Sequence, residues 1–260
     1  ALVQLPCPRR HRIGAAVARR LASDGFAVMA AGRDAKRTNE LASELPSVRA
    51  WIGDLATSDA CSRVVADCVK AYGRLDVLVN NAGIYHLADA EHTTDEIWNQ
   101  TIAINLTAAF LLSRAAMPQL RKCKGAIINI ASDWGLVGGR NAVAYCASKG
   151  GLVLMSKAMA LDHAAEGVRI NAVCPGDVET PMLYRSGATH GFDRKAALSA
   201  ANESSRTGRV TTPEEVAALV AFLASDAAAQ ITGAAIPIDG AMTAGFSATP
   251  GWDPTDAGHG

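Results

Sequence analysis

The 260-residue sequence lacks an excess of charge of either sign, because 25 Lys and Arg residues balance 25 Asp and Glu residues. This balance argues against a nucleic acid or an anionic membrane as a partner, since both attract a basic surface. Charged residues make up only 19% of the chain, whereas hydrophobic residues make up 49%. We therefore expect one large core in a single domain over residues 1–246, followed by a Gly- and Pro-rich tail at 247–260.

Features that mark several other protein classes are also missing. No apolar run looks long enough to span a membrane, and the first residues lack the charge pattern of a signal peptide. The six cysteines form no C-x-x-C pair, and neither they nor the histidines show the spacing of metal ligands. We therefore predict a cytoplasmic protein with reduced thiols and without a metal, membrane or nucleic-acid partner.

Short apolar segments alternate with segments of helical periodicity along the chain. The apolar segments do not alternate with polar residues, which is typical of strands buried on both faces of a parallel sheet. We predict an α/β fold, a Rossmann-like, doubly wound parallel sheet of seven strands with helices on both faces. The predicted strands cover residues 1–5, 26–31, 48–52, 75–79, 125–131, 168–174 and 235–238.

The predicted helices have recognisable starts and stops. Thr93 and Glu96 have capping-box spacing before a long helix that contains Asn105 and runs towards Pro118, and Thr212 precedes another capping box. Between residues 177 and 209 the chain is polar and contains glycine, and we assign no helix there. The predicted helices cover residues 13–23, 35–44, 58–72, 93–118, 145–165 and 216–224.

Residues 132–149 form the candidate active site. Ser132 follows an apolar run, so its hydroxyl is expected at the carboxyl end of a strand. Tyr145 and Lys149 are four residues apart, which places them on one face of a helix. An ammonium group near a phenol lowers the phenol pKa, as proton exchange with a carbonyl or an alcohol requires.

Several motifs, taken in their order along the chain, resemble the short-chain dehydrogenase/reductase family, in its branch of 3-oxoacyl-[acyl-carrier-protein] reductase-like proteins. Asn-Asn-Ala-Gly at 80–83 resembles the family segment after the fourth strand, and Ser132, Tyr145 and Lys149 match its serine and Y-x-x-x-K. Asn105 matches its helix asparagine, and residues 171–176 with Thr180 resemble its nicotinamide-side loop. The resemblance covers residues 13–246.

The resemblance implies a hydride-transferring oxidoreductase that acts on a ketone or secondary alcohol, most often as a homotetramer. Tyr145 would exchange a proton with the substrate oxygen, and Ser132 would hydrogen-bond that oxygen. Lys149 would hold the nicotinamide ribose and lower the Tyr145 pKa, and Asn105 would seat a proton-relaying water. Two structural alternatives remain open: Asn105 caps a kink in its helix, and the Asn81 amide ties neighbouring strands.

The resemblance also implies a nicotinamide dinucleotide and a set of residues around it. Arg33, at the end of the second strand, favours NADP(H), because an arginine there pairs with a 2′-phosphate. NAD(H) remains open, because the adjacent Asp34 can bind ribose hydroxyls instead. The implied cofactor-binding residues are Ile13, Gly14, Arg33, Asp54, Leu55, Asn81, Ala82, Gly83, Tyr145, Lys149, Pro175, Gly176, Val178 and Thr180.

The glycine-rich phosphate loop of this family is missing. Residues 7–12 read Cys-Pro-Arg-Arg-His-Arg, and only Gly14 of the glycine pattern remains. Three interpretations stand: arginines bind the phosphates directly, nucleotide binding is lost, or a reading-frame or cloning fault altered the segment, which the abrupt break in the pattern favours. We predict weak cofactor affinity, and a catalytically impaired subunit with a structural or regulatory role is the alternative to an active enzyme.

The substrate pocket is expected around the serine-to-lysine segment. Its side chains would suit an apolar substrate, one with hydroxyls or an anion, so the sequence does not identify the substrate. The predicted lining residues are Tyr85, His86, Asp133, Trp134, Leu136, Arg140 and the segment 182–191.

Overall fold

Seven strands, all parallel, form one sheet in this computed structural model, which describes residues 1–5 and 13–245. The expectations for the loop at 6–12 and for the tail after residue 245 therefore lie outside the described residues. The strands are β1 (Leu2–Gln4), β2 (Val28–Gly32), β3 (Val48–Ile52), β4 (Val77–Asn80), β5 (Ala126–Ile130), β6 (Arg169–Pro175) and β7 (Ala235–Ile238).

The strand order is β3-β2-β1-β4-β5-β6-β7, so the direction of winding reverses between β1 and β4. In register, Leu2 of β1 lies between Met29 of β2 and Leu78 of β4. This order confirms the predicted doubly wound fold, in which ligands bind beyond the carboxyl ends of the strands near the reversal. The predicted edges of β2, β4 and β6 are one or two residues too early.

Helices cover both faces of the sheet. Thr212 begins the last long helix with the predicted capping box, since its hydroxyl accepts from the Glu215 amide and the Glu215 carboxylate accepts from the Thr212 amide. The helices are α1 (Ile13–Ser23), α2 (Ala35–Glu44), α3 (Ser58–Tyr72), α4 (Asp95–Ile102), α5 (Ala108–Cys123), α6 (Val143–His163), α7 (Pro181–Thr189), α8 (Arg194–Ser204) and α9 (Pro213–Ala224).

The capping box predicted from Thr93 and Glu96 is wrong, because α4 is capped one residue later, by Thr94, whose partner is the backbone of Ile97. Thr94 is the N-cap of α4, and its hydroxyl accepts from the Ile97 amide, whereas the Thr93 hydroxyl donates to the carbonyl of Asp89. A π-turn, Ala103–Thr107, joins α4 to α5, and α5 continues past Pro118 to Cys123. The helix does not end at the proline because its last two turns still bury side chains against the core.

The segment at 177–209, in which we predicted no helix, contains α7 and α8. Asp193 caps α8 by accepting from the Ala196 amide, and an Ala-rich stretch follows it. This cap and the following alanines are a helix signal that the sequence analysis passed over. Both helices stand above the carboxyl ends of the strands and wall the site described below.

Apolar side chains fill a core on each face of the sheet. One core joins β1, β2, β4 and β5 to α1 and α9, and the other joins the same strands to α3, α5 and α6. The continuous helical segment Asp95–Cys123 has 29 residues and is, by length and composition alone, apolar enough to cross a membrane, which the sequence analysis did not anticipate. Because 44% of its most apolar window is buried in the fold, it equally matches a core helix.

Candidate active site

Two cavities lie side by side at the carboxyl edge of the sheet. The large cavity has a volume of about 510 Å³ and lies beyond β5 and β6, whereas the small cavity, about 310 Å³, lies beyond β2 and β3. Gly83 and Tyr85 line both of them. The two cavities therefore meet beside the loop that follows β4, next to the reversal in strand order.

Most of the predicted site residues lie in these two cavities. Gly14 and Asn105 line neither of them. The large cavity is lined by Ile13, Asn81, Gly83, Ser132, Tyr145, Lys149, Pro175, Gly176, Val178 and Thr180. The small cavity is lined by Arg33, Asp54, Leu55, Ala82 and Gly83.

Ser132 and Tyr145 meet in the large cavity from two different elements. Ser132 lies just past β5, and its hydroxyl donates to the Asp133 carboxylate at 2.7 Å while accepting from the Trp134 amide at 3.2 Å. Tyr145 lies in the first turn of α6. Burial raises the pKa of the Tyr145 phenol, and an interaction with the Ser132 side chain opposes that rise.

Lys149 lies one turn further along α6, and it is buried. Its ammonium donates to the carbonyl of Ile130 at 2.8 Å and lies 5.8 Å from the centroid of the Tyr145 ring. Burial lowers the pKa of Lys149 to about 8. Desolvation of the phenol is the dominant effect on the Tyr145 pKa, so the expected shift towards working pH is not found, and a lowering contribution from Lys149 stays a prediction.

Two aromatic rings flank the phenol of Tyr145. The Tyr85 ring meets it edge-on with centroids 5.1 Å apart, and the Trp134 ring meets it edge-on at 6.2 Å. Tyr85 and Trp134 are themselves 5.8 Å apart. A side chain at Gly139 would overlap the Trp134 ring, so glycine leaves the room that this arrangement needs. The rings hold the Tyr145 side chain in one position.

Asn105 supports the site from the π-turn. Its carboxamide accepts from the Ile84 amide at 2.8 Å and donates to the Ile84 carbonyl at 2.9 Å and to the Ser148 hydroxyl at 3.0 Å. These bonds tie the loop after β4 to α6, a structural role that differs from the predicted role at a helix kink. A Cβ at Gly83 would lie 3.4 Å from the Lys149 ammonium and 3.7 Å from the Asn105 oxygen, so both groups face one small space. The water relay there stays a prediction.

Asn81 also has a structural partner. Its amide donates to the carbonyl of Gln4 at 3.2 Å, and this bond joins the ends of β4 and β1. A Cβ at Gly14 would overlap the Asn81 amide, which explains why the second residue of α1 is a glycine. The predicted tie between strands is therefore present, whereas contact of Asn81 with a ligand stays a prediction.

Part of the wall of the large cavity was not predicted from the sequence. Of the predicted pocket residues, His86 lines the small cavity instead, and Leu136 lines neither. Among the described residues no group of three or more His, Cys, Asp or Glu side chains is placed to hold a metal. The lining residues that were missed include Leu87, Asn141, Asp177, Phe192, Ala197, Ala200, Ala201, Ser204 and Met242.

Two carboxylates lie in the wall of the large cavity. Burial raises the pKa of both Asp133 and Asp177, and Arg140 lines the same cavity. In the small cavity, Arg33 and Arg185 supply positive charge. A pair of joined cavities with cations in one half and a buried phenol in the other fits an elongated anionic ligand such as a nicotinamide dinucleotide.

Comparisons with known proteins agree with this geometry. The family model for enoyl-(acyl carrier protein) reductase matches residues 9–243. A meso-2,3-butanediol dehydrogenase from Serratia marcescens is 40% identical over 234 residues, which are 89% of this chain and 90% of that protein. A D-threitol dehydrogenase from Mycolicibacterium smegmatis (strain ATCC 700084 / mc(2)155) is 39% identical over 236 residues, 89% of this chain and 88% of that protein.

A solved structure has the same fold. The ligand-free aldohexose dehydrogenase of Thermoplasma acidophilum superposes with a TM-score of 0.84 at 29% identity and covers 95% of both chains. The family model and the relatives span most of the chain, and the predicted motifs lie together in the two cavities. The chain therefore belongs to the short-chain dehydrogenase/reductase family, whose members use NAD(P), and it is a dehydrogenase that acts on CH–OH groups.

Proposed function

We propose that the chain transfers a hydride between NADP(H) and a secondary alcohol or its ketone, with Tyr145 as the general acid/base. The observation that carries this proposal is the position of Tyr145: it lies with Ser132 and Lys149 in the large cavity, which joins the cation-lined small cavity at Gly83 and Tyr85. A substrate in the large cavity would thus reach both the phenol and the nicotinamide end of a dinucleotide.

Each side chain has one task in this proposal. A bound nicotinamide would supply the hydride chemistry at the alcohol carbon. Tyr145 takes the hydroxyl proton during oxidation and gives it back during reduction. Ser132 hydrogen-bonds the same oxygen, for which its hydroxyl turns away from Asp133. Lys149 binds the nicotinamide ribose, and its charge makes the phenolate easier to form.

The nicotinamide half of the cofactor would lie against β6 and the start of α7. Pro175 is the last residue of β6, and Gly176, Val178 and Thr180 follow it in the wall of the large cavity. The adenosine half would lie in the small cavity beside Asp54 and Leu55. The adenosine half and the nicotinamide half would thus lie on opposite sides of the reversal in strand order, along one edge of the sheet.

Arg33 is the reason to prefer NADP(H). It lines the small cavity, whereas the Asp34 carboxylate caps α2 by accepting from the Arg37 amide. Arg33 lies 3.8 Å from Asp54, and both side chains are more than half exposed, so this contact competes little with a phosphate.

We predict that Arg33→Ala weakens NADPH binding about tenfold and leaves NADH binding nearly unchanged, because only NADPH loses a charge-assisted hydrogen bond. Nucleotide fluorescence titrations of the wild type and of Arg33→Ala give the dissociation constants for NADPH and for NADH. Equal weakening of NADPH and NADH would show that Arg33 does not read the 2′-phosphate.

The substrate class follows from the relatives and from the large cavity. Butanediol, threitol and an aldohexose all carry oxygens on neighbouring carbons, and Asp133, Asp177, Arg140 and Asn141 offer hydrogen bonds inside an otherwise apolar wall. We therefore propose vicinal diols and polyols as substrates.

The test is the reduction of NADP⁺, followed by absorbance, with meso-2,3-butanediol, D-threitol and 2-butanol. We expect the two diols to be oxidised with the higher kcat/KM, since 2-butanol lacks the second hydroxyl. A faster reaction with 2-butanol would contradict the substrate class. Absence of turnover with every alcohol would instead favour the impaired, structural subunit.

We propose a homotetramer that assembles through α5, α6 and the β7 edge. Leu161 is 85% exposed and Leu154 is 67% exposed on α6, and Phe110 on α5 and Phe222 on α9 are also exposed. Light scattering that reports a single chain would contradict this assembly.

A cytoplasmic location is proposed because the five described cysteines are all free thiols.

A further inference from the structure

One helix, α7, borders both cavities. Its residues Met182, Leu183 and Ser186 line the large cavity, whereas Arg185 lines the small one. A movement of α7 would therefore change the walls of the two cavities together. No other described helix after β6 contributes side chains to both.

Tyr85 connects this helix to the junction of the cavities. It lines both cavities, and its phenol interacts with the side chain of Ser186, the neighbour of Arg185. Burial raises the pKa of Tyr85, and the interaction with Ser186 opposes that rise. The Arg185 side chain thus leaves α7 next to the point where the small cavity meets the large one.

Arg185 differs from other arginines of this part of the chain in its contacts. Arg194 stacks on the Tyr184 ring at 4.1 Å, and Arg209 forms an ion pair with Glu215. Arg185 is exposed and forms no ion pair or hydrogen bond with any residue that the structure describes. Its guanidinium is available to an anion, and a planar fork of N–H donors suits phosphate oxygens.

The sequence adds a reason to look for a phosphate ligand outside the first loop. Residues 6–12 contain no glycine, although glycines normally let backbone amides approach the pyrophosphate in dinucleotide-binding folds. In any nicotinamide dinucleotide, the pyrophosphate joins the adenosine half to the nicotinamide half. It must therefore pass the junction of the two cavities, and Arg185 belongs to the wall of the small cavity on one side of that junction.

We propose that Arg185 binds the pyrophosphate of the dinucleotide and so holds α7 over the large cavity. The proposal rests on the proposed function, because it assumes that a dinucleotide occupies the joined cavities. It makes Arg185 a cofactor-binding residue and α7 a wall that the cofactor orders before the alcohol binds. Nucleotide binding and closure of the substrate cavity would then be coupled through one side chain.

The test compares Arg185→Gln with Arg194→Gln as a matched control. Arg194 is an exposed arginine of the neighbouring helix that contacts the same short segment but lines neither cavity. Fluorescence titrations with NADPH and with NADH give the dissociation constants of each variant. We expect Arg185→Gln to raise both about tenfold, because both nucleotides carry the pyrophosphate, and Arg194→Gln to leave them unchanged.

Hydrogen exchange of the α7 amides supplies a readout independent of turnover. NADPH should slow exchange across residues 181–189 in the wild type and much less in Arg185→Gln at equal saturation. Unchanged dissociation constants in Arg185→Gln, weakening of NADPH alone, or equal weakening in Arg194→Gln would each overturn the proposal. A wild-type chain that binds neither nucleotide would overturn the proposed function, and this proposal with it.

Discussion

Replacing Tyr145 with phenylalanine is expected to lower kcat for oxidation of a secondary alcohol by about 10³-fold, the middle of the range for losing a general acid/base. The ring remains and keeps its edge-on contacts with Tyr85 and Trp134, so the cavity should keep its shape. The dissociation constant for NADPH should change little, because the phenol acts on the substrate oxygen. Initial rates of NADP⁺ reduction and a nucleotide titration check both statements.

Tyr85→Phe is the matched control for this change. Tyr85 belongs to the same ring cluster and loses the same hydroxyl, but in the proposed mechanism it transfers no proton. We expect its kcat to fall less than tenfold. Comparable losses in the two variants would assign the effect to the cluster as a whole, and full activity of Tyr145→Phe would remove Tyr145 from the chemistry.

Lys149→Met is expected to lower kcat/KM by about 10²-fold, since the phenolate loses its neighbouring cation and the ribose loses a hydrogen-bond donor. Methionine has a similar length and leaves the helix intact. The loss should be larger below pH 8 than well above it. Well above pH 8 the wild-type Lys149 has itself lost its charge, so the wild type and the variant differ less. Measurement of kcat/KM for both variants between pH 6 and 10 tests the difference.

The same variant should reveal the cost of burying the ammonium. The pKa of Lys149 is about 8 in the folded chain and 10.5 in its ordinary state, so between these values the folded chain holds fewer protons on this group than the unfolded chain. The free energy of unfolding of the wild type should therefore rise with pH across this window, by about 3 kcal/mol relative to Lys149→Met. Parallel stability curves for the two proteins would contradict the buried charge.

Local sequence signals were sufficient for the sheet and for the active-site segment. Strands that are buried on both faces are apolar throughout, which makes them easy to recognise in the sequence. The four-residue spacing of Tyr145 and Lys149 is enough to place both on one face of a helix. The box at Thr212 was predicted correctly because its partners are three residues apart. The box predicted at Thr93 was wrong because the Thr93 hydroxyl donates to the carbonyl of Asp89 instead. Asp89 belongs to a turn that the spacing of Thr93 and Glu96 does not show.

Properties that depend on packing between distant segments were not predictable from the sequence. The spacing of Tyr145 and Lys149 predicted a Tyr145 pKa near working pH, but burial depends on every element that covers the phenol, and it raises that pKa. Likewise, Arg185 enters the small cavity only because α7 folds back over the edge of the sheet. Residues 182–191 were predicted to line the substrate pocket without a helix, so the position of Arg185 in the small cavity was not predicted.

The most direct test of the central claim is the fate of the hydrogen on the alcohol carbon. The wild-type chain is incubated with NADP⁺ and meso-2,3-butanediol that carries deuterium on its two carbinol carbons, and the recovered NADPH is analysed by mass spectrometry. The account predicts one deuterium in each molecule of reduced nucleotide formed. Reduced nucleotide without the label, or oxidation of the diol with the deuterium released to water, would contradict hydride transfer in this site.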